Sequence, residues 1–387
     1  MITLVKDTIG NEDIDSLIDW LKSYPRLTKG PVTLKFENKF SKWLGRKYSV
    51  FCNSGSSANL LMLSVLKEKY DFKKVVVPSV AWSTDLAPVM QLGLQPILCD
   101  CNMKDLSADL NHLEKIFMEE SPDVFLLVSA LGLVPDMKKI IELCSKYDVL
   151  LLEDVCESLG CKYKGKNLGT FGKMSSFSTF FGHHISTIEG GIVSTDDKEL
   201  YELLVSLRSH GWARDLSVES QLKLLEEWNV SEFDSLYTFY YSGFNMRSTD
   251  LQAYIGLAQI DKLDDWGRKR RNNFDLYQRL IENDYWKPDV DLNNFVSNFA
   301  YPIISPHRDK IIKKLQDNKV EIRPLICGSM GTQPFYVKKY GRLELPNVSI
   351  VDKYGFYVPN NPMLTEEEIE FICELINSEI NEKKIHR

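Results

Sequence analysis

Two adjacent histidines, His183 and His184, lie in a hydroxyl-rich segment that joins two strand-like runs. The runs are Met174–Ser178 and Gly191–Thr195, and Gly190 before the second run lies seven residues after His183. An imidazole has an ordinary pKa of about 6.5, so a histidine can take up and release a proton at cellular pH. The residue types in this segment therefore indicate general acid–base chemistry.

A second segment has the composition of an anion-binding site. Gly55, Ser56 and Ser57 follow a short strand and precede an apolar helix that we expect to start at about Ala58. Small residues at the first turn of a helix let backbone N–H groups approach a phosphate, and the helix dipole favours negative charge there. The same composition is also typical of a helix cap that binds no ligand.

Acidic side chains follow another apolar strand. Asp154 and Glu157 lie two and five residues after the apolar run 149–152. Burying a carboxylate at such a strand end is costly unless a cation pairs with it, and a protonated pyridine nitrogen is one such cation. Trp82 follows a different strand and could either stack on an aromatic cofactor or pack in the core. Asp154 is therefore a candidate partner for a cationic cofactor.

These residues stand at the ends of strand-like runs that alternate with helical ones. The alternation predicts an α/β fold with a mostly parallel mixed sheet covered by helices on both faces, and ligands at the carboxyl ends of its strands. After Asn283 the pattern changes to a smaller α+β unit. We expect residues 1–245 to form a large domain, and residues 246–387 to form a long linking helix and a small C-terminal domain. The runs that alternate with helices are 75–78, 96–100, 124–128 and 149–154.

The composition is that of an ordinary soluble globular protein, with 387 residues of which 44% are apolar. A net charge of −7 argues against binding to nucleic acid, which needs an extended basic surface. No apolar run approaches the roughly 20 residues that cross a membrane, and residues 1–10 lack the features of a signal peptide. We therefore expect a cytoplasmic protein without nucleic-acid or membrane partners. The eight cysteines lack metal-ligand spacing, which predicts free thiols and no metal site.

Five strings of the sequence resemble, in the same order, the sugar aminotransferases of fold type I, a family of enzymes that use pyridoxal 5'-phosphate (PLP). The resemblance covers nearly the whole chain, so it implies the transferase architecture of fold type I. The strings are 53–58, 153–160, 176–191, 243–253 and Arg323–Pro324.

The resemblance also implies roles for individual residues. It places the PLP phosphate at the first turn of the expected helix, an aromatic side chain over the ring, an aspartate on the pyridine nitrogen and a glutamine or glutamate beside the ring hydroxyl. The family's asparagine at the position of Asn245 reaches the cofactor phosphate of the partner subunit, which implies a homodimer with shared active sites. The implied cofactor-binding residues are Gly55, Ser56, Ser57, Trp82, Asp154, Glu157, Ser178 and Asn245, and the expected substrate-binding residues are His210, Arg214, Arg247 and Arg323.

The cofactor lysine of the family is missing, because its position, seven residues before Gly190, holds His183. A histidine can move a proton but cannot hold the cofactor through a stable covalent bond. In this respect the chain resembles the family's 3-dehydratases, which remove the C3 hydroxyl of a nucleotide-linked 4-keto-6-deoxy sugar, with GDP as the expected nucleotide. The resemblance implies that L-glutamate converts PLP to pyridoxamine 5'-phosphate (PMP). The implied products are 2-oxoglutarate, ammonia and the 4-keto-3,6-dideoxy sugar.

Other functions stay open. A sugar aminotransferase would need a distant lysine to replace the missing one. A non-enzymatic descendant that binds a nucleotide sugar would be expected to lose its cofactor residues together. Iron–sulfur 3-dehydratases also carry a histidine here, but their cluster cysteines have no equivalent in this sequence. The position seven residues before Gly190 assigns the role of the base to His183. His184 is then a neighbour that packs or hydrogen-bonds.

Overall fold

The computed structural model describes residues 1–283 and 285–381. Within these ranges twelve β-strands form a seven-stranded sheet, a three-stranded sheet and a two-stranded ribbon. In chain order they are β1 (Tyr48–Cys52), β2 (Lys74–Pro78), β3 (Gln95–Cys99), β4 (Val124–Val128), β5 (Leu150–Asp154), β6 (Lys162–Tyr163), β7 (Lys166–Asn167), β8 (Met174–Ser178), β9 (Gly191–Thr195), β10 (Ala300–Ile304), β11 (Arg323–Pro324) and β12 (Gly355–Pro359).

The seven-stranded sheet has the order β1-β9-β8-β5-β4-β2-β3. Strand β9 is antiparallel to both of its neighbours, and the remaining neighbours pair in parallel. All strands except β9 therefore point the same way, and their carboxyl ends lie along one edge. This mixed, mostly parallel sheet confirms the predicted α/β class and the fold type I architecture.

Thirteen α-helices are found in the same two ranges, and none of them is both long and apolar enough to span a membrane. They are α1 (Asn11–Leu21), α2 (Pro31–Leu44), α3 (Gly55–Lys69), α4 (Ser83–Gln91), α5 (Leu110–Glu120), α6 (Met137–Lys146), α7 (Lys198–Arg208), α8 (Val218–Glu227), α9 (Asp250–Leu280), α10 (Arg308–Asp317), α11 (Pro334–Tyr340), α12 (Pro346–Tyr354) and α13 (Glu366–Asn381).

The large sheet is buried on both faces, which explains why β2, β4 and β5 are largely apolar, whereas β8 (Met174–Ser178) contains buried serines. In β2, Val76 belongs to the apolar cluster that contains Phe36 of α2. Val75 and Val77 belong to the cluster on the other face, which contains Leu63 of α3. Successive side chains of a strand point to opposite faces, so a strand covered on both sides needs apolar residues at every position.

Helix α9 leads from the large sheet to the three-stranded antiparallel sheet, whose order is β10-β12-β11. Its first turn is capped by Thr249, whose Oγ1 accepts a hydrogen bond from the backbone N–H of Gln252 at 3.2 Å. The Gln252 side chain accepts in return from the Thr249 hydroxyl at 2.8 Å. These contacts form the cap of the long helix expected after residue 245, whereas the division of the chain into domains at residue 245 stays a prediction.

Candidate active site

A cavity of about 630 Å³ opens at the carboxyl edge of the large sheet. Its wall includes the loops that follow β1, β2, β5 and β8. Parallel strands bring their carboxyl ends together, which is why residues far apart in the sequence meet here. The predicted site residues that line the cavity are Gly55, Ser56, Trp82, Asp154, Glu157, Ser178, His183 and Arg323.

The predicted phosphate site lies at the first turn of α3. Ser54 Oγ accepts a hydrogen bond from the backbone N–H of Ser57 at 3.1 Å, so the helix begins at Gly55 rather than near the predicted residue 58. A Cβ atom on Gly55 would lie only 2.9 Å from the Cβ of Ser178, so a side chain would fill this narrow space. Ser56 and Ser178 add hydroxyl groups to the cavity wall. The positive end of the helix dipole completes a place suited to an anion.

Asp154 ends β5, and its side chain is nearly buried. Its Oδ1 accepts from the backbone N–H of Cys156 at 2.8 Å, and its Oδ2 accepts from Asn59 Nδ2 at 2.5 Å. Asn59 also donates to Asp85 Oδ1 at 2.9 Å and accepts from Ser176 Oγ at 2.6 Å. Among residues 1–283 and 285–381, no cationic side chain hydrogen-bonds to Asp154. A cationic ligand atom would therefore be its charge partner.

His183 lies in the turn between β8 and β9 and lines the cavity. Its Nδ1 is 2.7 Å from the carbonyl oxygen of Cys156. A carbonyl can only accept, so Nδ1 carries the hydrogen and Nε2 carries the lone pair. The ring packs against Phe299 at a centroid distance of 5.7 Å. Burial lowers the pKa of His183 below its ordinary value, which gives the cavity a neutral base at Nε2 near pH 7.

His184 is not among the residues that line the cavity. It is buried, and its Nε2 donates to the carbonyl oxygen of Ser297 at 2.5 Å. Burial lowers the pKa of His184 well below the ordinary value, so this ring is neutral as well. His184 thus packs and hydrogen-bonds, as its place in the sequence predicted.

Trp82 and Glu157 reach the cavity from the loops after β2 and β5. The Trp82 side chain is about half exposed in this chain, which leaves its indole free to contact a ligand. Glu157 accepts a hydrogen bond from the backbone N–H of Leu131 at 2.7 Å. Burial raises the pKa of Glu157 to about 7, so its carboxyl group changes charge close to neutral pH.

Arg323 lies in β11, and its guanidinium group pairs with Glu321 at 2.5 Å. The same carboxylate accepts a hydrogen bond from the backbone N–H of Leu4 at 3.0 Å. Thr3, Leu4 and Val5 line the cavity, so the amino-terminal segment is part of the site. The sequence analysis did not predict this contribution.

Some predicted residues do not line this cavity: Ser57, His210, Arg214, Asn245 and Arg247. The guanidinium of Arg214 stacks 4.1 Å from the Trp212 ring, and the His210 ring contacts the same tryptophan at a centroid distance of 4.8 Å. Asn245 is exposed. The backbone of Arg247 forms an antiparallel β-bridge with Cys52, the last residue of β1, next to the first turn of α3. The binding roles of these residues stay predictions.

Two buried polar residues near Asp154 were missed by the sequence analysis. Asn59 follows the small residues of the α3 turn, and Asp85 accepts a hydrogen bond from the backbone N–H of Trp82 at 2.8 Å. An aspartate three residues after a possible helix start is a capping signal, so the start of α4 could have been predicted. The closeness of Asp85 to Asp154 depends on the order of β2, β4 and β5 in the sheet, which the local sequence does not encode.

Comparison with known proteins assigns the family. Residues 7–377 match the model of the DegT/DnrJ/EryC1/StrS aminotransferase family. A GDP-4-keto-6-deoxy-D-mannose 3-dehydratase of Yersinia pseudotuberculosis is 33% identical over 365 residues, which cover 90% of this chain and 91% of that protein. A GDP-perosamine synthase of Escherichia coli O157:H7 is 29% identical, with 96% of this chain and 95% of that protein covered.

The fold comparison agrees with the sequence comparison. The crystal structure of a GDP-4-keto-6-deoxymannose-3-dehydratase with a trapped PLP-glutamate geminal diamine matches this structure with a TM-score of 0.88 at 28% identity. The match covers 97% of this chain and 100% of that chain. With its mixed sheet, its cavity at the carboxyl edge and this set of relatives, the chain belongs to the DegT/DnrJ/EryC1/StrS aminotransferase family of PLP-dependent enzymes.

Proposed function

We propose that this chain is a PLP- and PMP-dependent C3 dehydratase of a nucleotide-linked 4-keto-6-deoxy sugar. L-Glutamate converts PLP to PMP, and the products are 2-oxoglutarate, ammonia and the 4-keto-3,6-dideoxy sugar. The observation that carries the proposal is the imidazole of His183, which lines the cavity at the position of the family's lysine with its Nδ1 held 2.7 Å from the carbonyl oxygen of Cys156. None of the described residues that line the cavity is a lysine.

The residues of the cavity fit PLP. The first turn of α3 at Gly55, with the hydroxyls of Ser56 and Ser178, would hold the phosphate. Trp82 would lie against the ring, and Asp154 would bind the pyridine nitrogen. The narrow space at Gly55 and the nearly buried carboxylate of Asp154 support this fit. When bound, PLP supplies an electron sink that stabilises negative charge beside its ring.

His183 moves the protons of the reaction. Its Nε2 would take up the proton released from the carbon that carries the amino group of the bound cofactor, and the imidazolium would give a proton to the departing C3 hydroxide, which leaves as water, so one side chain serves both steps. The carbonyl of Cys156 accepts from Nδ1–H in both protonation states and therefore keeps the ring in place. Phe299 packs against the same ring and limits its movement.

The cationic residues are assigned to the anionic substrates. Arg323 lines the cavity and would bind a carboxylate of glutamate or the sugar diphosphate. GDP is the expected nucleotide, because both named relatives act on GDP-linked sugars. His210, Arg214 and Arg247 stay proposed substrate-binding residues, and the exposed Asn245 would reach the cofactor phosphate of a second copy, in a homodimer with shared active sites.

A sugar aminotransferase is the second candidate, since a GDP-perosamine synthase is among the relatives. An aminotransferase of this family needs a lysine that bonds to the cofactor. Reduction of the PLP-loaded protein with borohydride distinguishes the two candidates. A dehydratase with His183 should keep no covalent cofactor, whereas an aminotransferase with a replacement lysine should.

The direct test is incubation of the protein with PLP, L-glutamate and a panel of 4-keto-6-deoxy sugars linked to GDP, dTDP, UDP or CDP. We expect one sugar to yield a product that is lighter by one oxygen atom, together with 2-oxoglutarate. A product that gains an amino group and keeps its C3 oxygen would identify an aminotransferase. Absence of 2-oxoglutarate and of any product with all four sugars would contradict the dehydratase proposal.

A further inference from the structure

Asp85 and Asp154 form an acidic pair bridged by one amide. Asn59 Nδ2 donates to Asp85 Oδ1 at 2.9 Å and to Asp154 Oδ2 at 2.5 Å. The side chains of Asp85 and Asp154 are only 1% and 5% exposed, and both line the cavity. Two carboxyl groups are thus held together at the place proposed for the pyridine nitrogen.

The hydrogen bonds that the described residues donate to the pair come from neutral groups. Across residues 1–283 and 285–381, no lysine, arginine or histidine hydrogen-bonds to either carboxyl group. The other titratable groups that influence the pair are Glu157, the thiols of Cys156 and Cys327, and His183, which acts on Asp154. Of these only His183 can carry positive charge, and burial lowers its pKa, which favours the neutral ring. Two adjacent buried carboxylates cannot both ionise without a large cost in free energy.

We infer that Asp85 is a positioning residue that stays protonated and donates a hydrogen bond to Asp154, so that the pair presents a single negative charge to the pyridine nitrogen. Burial and the neighbouring charge of Asp154 raise the pKa of Asp85 well above its ordinary value, in agreement with this assignment. The inference rests on the proposed use of PLP. It is independent of which reaction the bound cofactor supports.

Asp85 also connects the two groups proposed to hold the cofactor ring. Its Oδ2 accepts from the backbone N–H of Trp82 at 2.8 Å, so the residue fixes the start of α4 that carries the indole. Through Asn59 and its own proton it fixes the carboxylate of Asp154. One buried acid therefore sets the position of the aromatic surface relative to the negative charge.

The first test uses the protein without cofactor and needs no activity. An ordinary aspartate titrates at about pH 3.9 in the unfolded chain. Because the pKa of Asp85 is raised in the folded chain, the parent should lose stability as the pH rises above that value, until Asp85 ionises. Asp85→Asn mimics the protonated acid, so its stability relative to the parent should increase with pH. Urea unfolding at pH 5.5, 7 and 8.5 measures this difference.

Asp250→Asn is a matched control for the unfolding experiment. Asp250 is equally buried, but its carboxylate accepts hydrogen bonds from backbone N–H groups of Gly30, Val32 and Thr33. Its replacement should destabilise the protein at all three pH values, because one amide oxygen cannot accept all of these bonds. If the stability of Asp85→Asn relative to the parent stays constant or falls from pH 5.5 to 8.5, Asp85 is already ionised in the folded chain and the inference is wrong.

The second test measures PLP binding by absorbance, without sugar or glutamate. Asp85→Asn keeps a donor toward Asp154 and should bind PLP within about threefold of the parent, whereas Asp85→Leu removes donor and acceptor and should weaken binding by about tenfold or more. Equal, strong weakening in both variants would overturn the assignment. A parent that binds PLP but dehydrates no sugar would contradict the proposed dehydratase and leave this inference standing.

Discussion

Cys156 lies two residues beyond the end of β5, and its carbonyl oxygen is 2.7 Å from Nδ1 of His183. This contact joins the turn that carries the proposed base to the loop that follows Asp154. It fixes the tautomer of the imidazole, and it sets Nε2 as the atom that exchanges protons. The proposed base and the proposed partner of the pyridine nitrogen are therefore positioned by the same short segment.

Replacement of the base should stop turnover without unfolding the protein. His183 lies on a turn at the cavity wall and takes no part in the pairing of β8 with β9, so His183→Asn should fold and bind PMP. The rate of dehydration should fall by about 10² to 10⁴, the usual contribution of general acid–base catalysis, and by more if both proton steps depend on this residue. Single-turnover formation of the dideoxy sugar from the PMP-loaded protein measures the effect.

His184→Asn is the matched control for that prediction. Loss of the buried contact with Ser297 should lower the free energy of unfolding by about 1–3 kcal/mol and leave the chemical step nearly unchanged. The roles of the two histidines would be reversed if His183→Asn dehydrates the sugar at close to the parent rate while His184→Asn does not.

The cofactor should be held without a covalent bond. With histidine at position 183, PLP would be bound by contacts at the first turn of α3, by Trp82 and by Asp154. Prolonged dialysis should therefore remove it, and added PLP should restore its absorbance. Introduction of a lysine by His183→Lys should make the cofactor resistant to dialysis after borohydride reduction. Cofactor that stays with the acid-denatured parent protein would show a covalent link and contradict the prediction.

Loss of the charge on Asp154 should slow the reaction far more than it weakens folding. Asp154→Asn keeps the shape of the side chain but removes the negative charge proposed to keep the pyridine nitrogen protonated. The loss of a charge-assisted bond at a developing carbanion should cost on the order of a hundredfold or more in rate. Steady-state kinetics of 2-oxoglutarate formation would test this, and near-normal turnover would exclude Asp154 from the role.

Cofactor binding should weaken as the pH rises through about 7, the value to which burial raises the pKa of Glu157. Below that pH the carboxyl group is neutral and can donate a hydrogen bond to the oxygen of the ring hydroxyl, whereas above it a carboxylate repels negative charge there. Glu157→Gln stays neutral and should lose this transition. Titration of PLP affinity from pH 6 to 8.5 in both proteins measures it, and identical profiles would rule out Glu157 as the source.

The strands of the large sheet and eight of the residues that line the cavity could be predicted from the sequence. Strands β4, β8 and β9 have the bounds that the apolar pattern indicates, and β3 is displaced by one residue. The apolar pattern marks β4 because a strand buried on both faces favours apolar residues, whereas β8 and β9 also contain buried hydroxyl side chains. The ends of these strands, at residues such as Asp154 and Ser178, then mark the cavity edge.

The remaining parts of the site arise from contacts between distant segments. The sequence around Asp85 indicates only a helix cap. The order of the strands brings this residue close to Asp154. Leu4 reaches the cavity because its backbone N–H donates to Glu321, more than three hundred residues away. Phe299 meets His183 through the docking of the C-terminal sheet. Such pairings leave no periodic signal in the sequence.

The turn between β8 and β9 has its two ends tied together at the sheet. The backbone N–H of Thr179 donates to Gly190 at 2.9 Å, and that of Thr187 donates to Thr179 at 2.8 Å, so the base of the turn is closed before position 183 is reached. The residue at that position takes no part in the pairing of the two strands. The side chain at position 183 can therefore be exchanged while the hydrogen bonds that close the turn and pair the two strands stay intact.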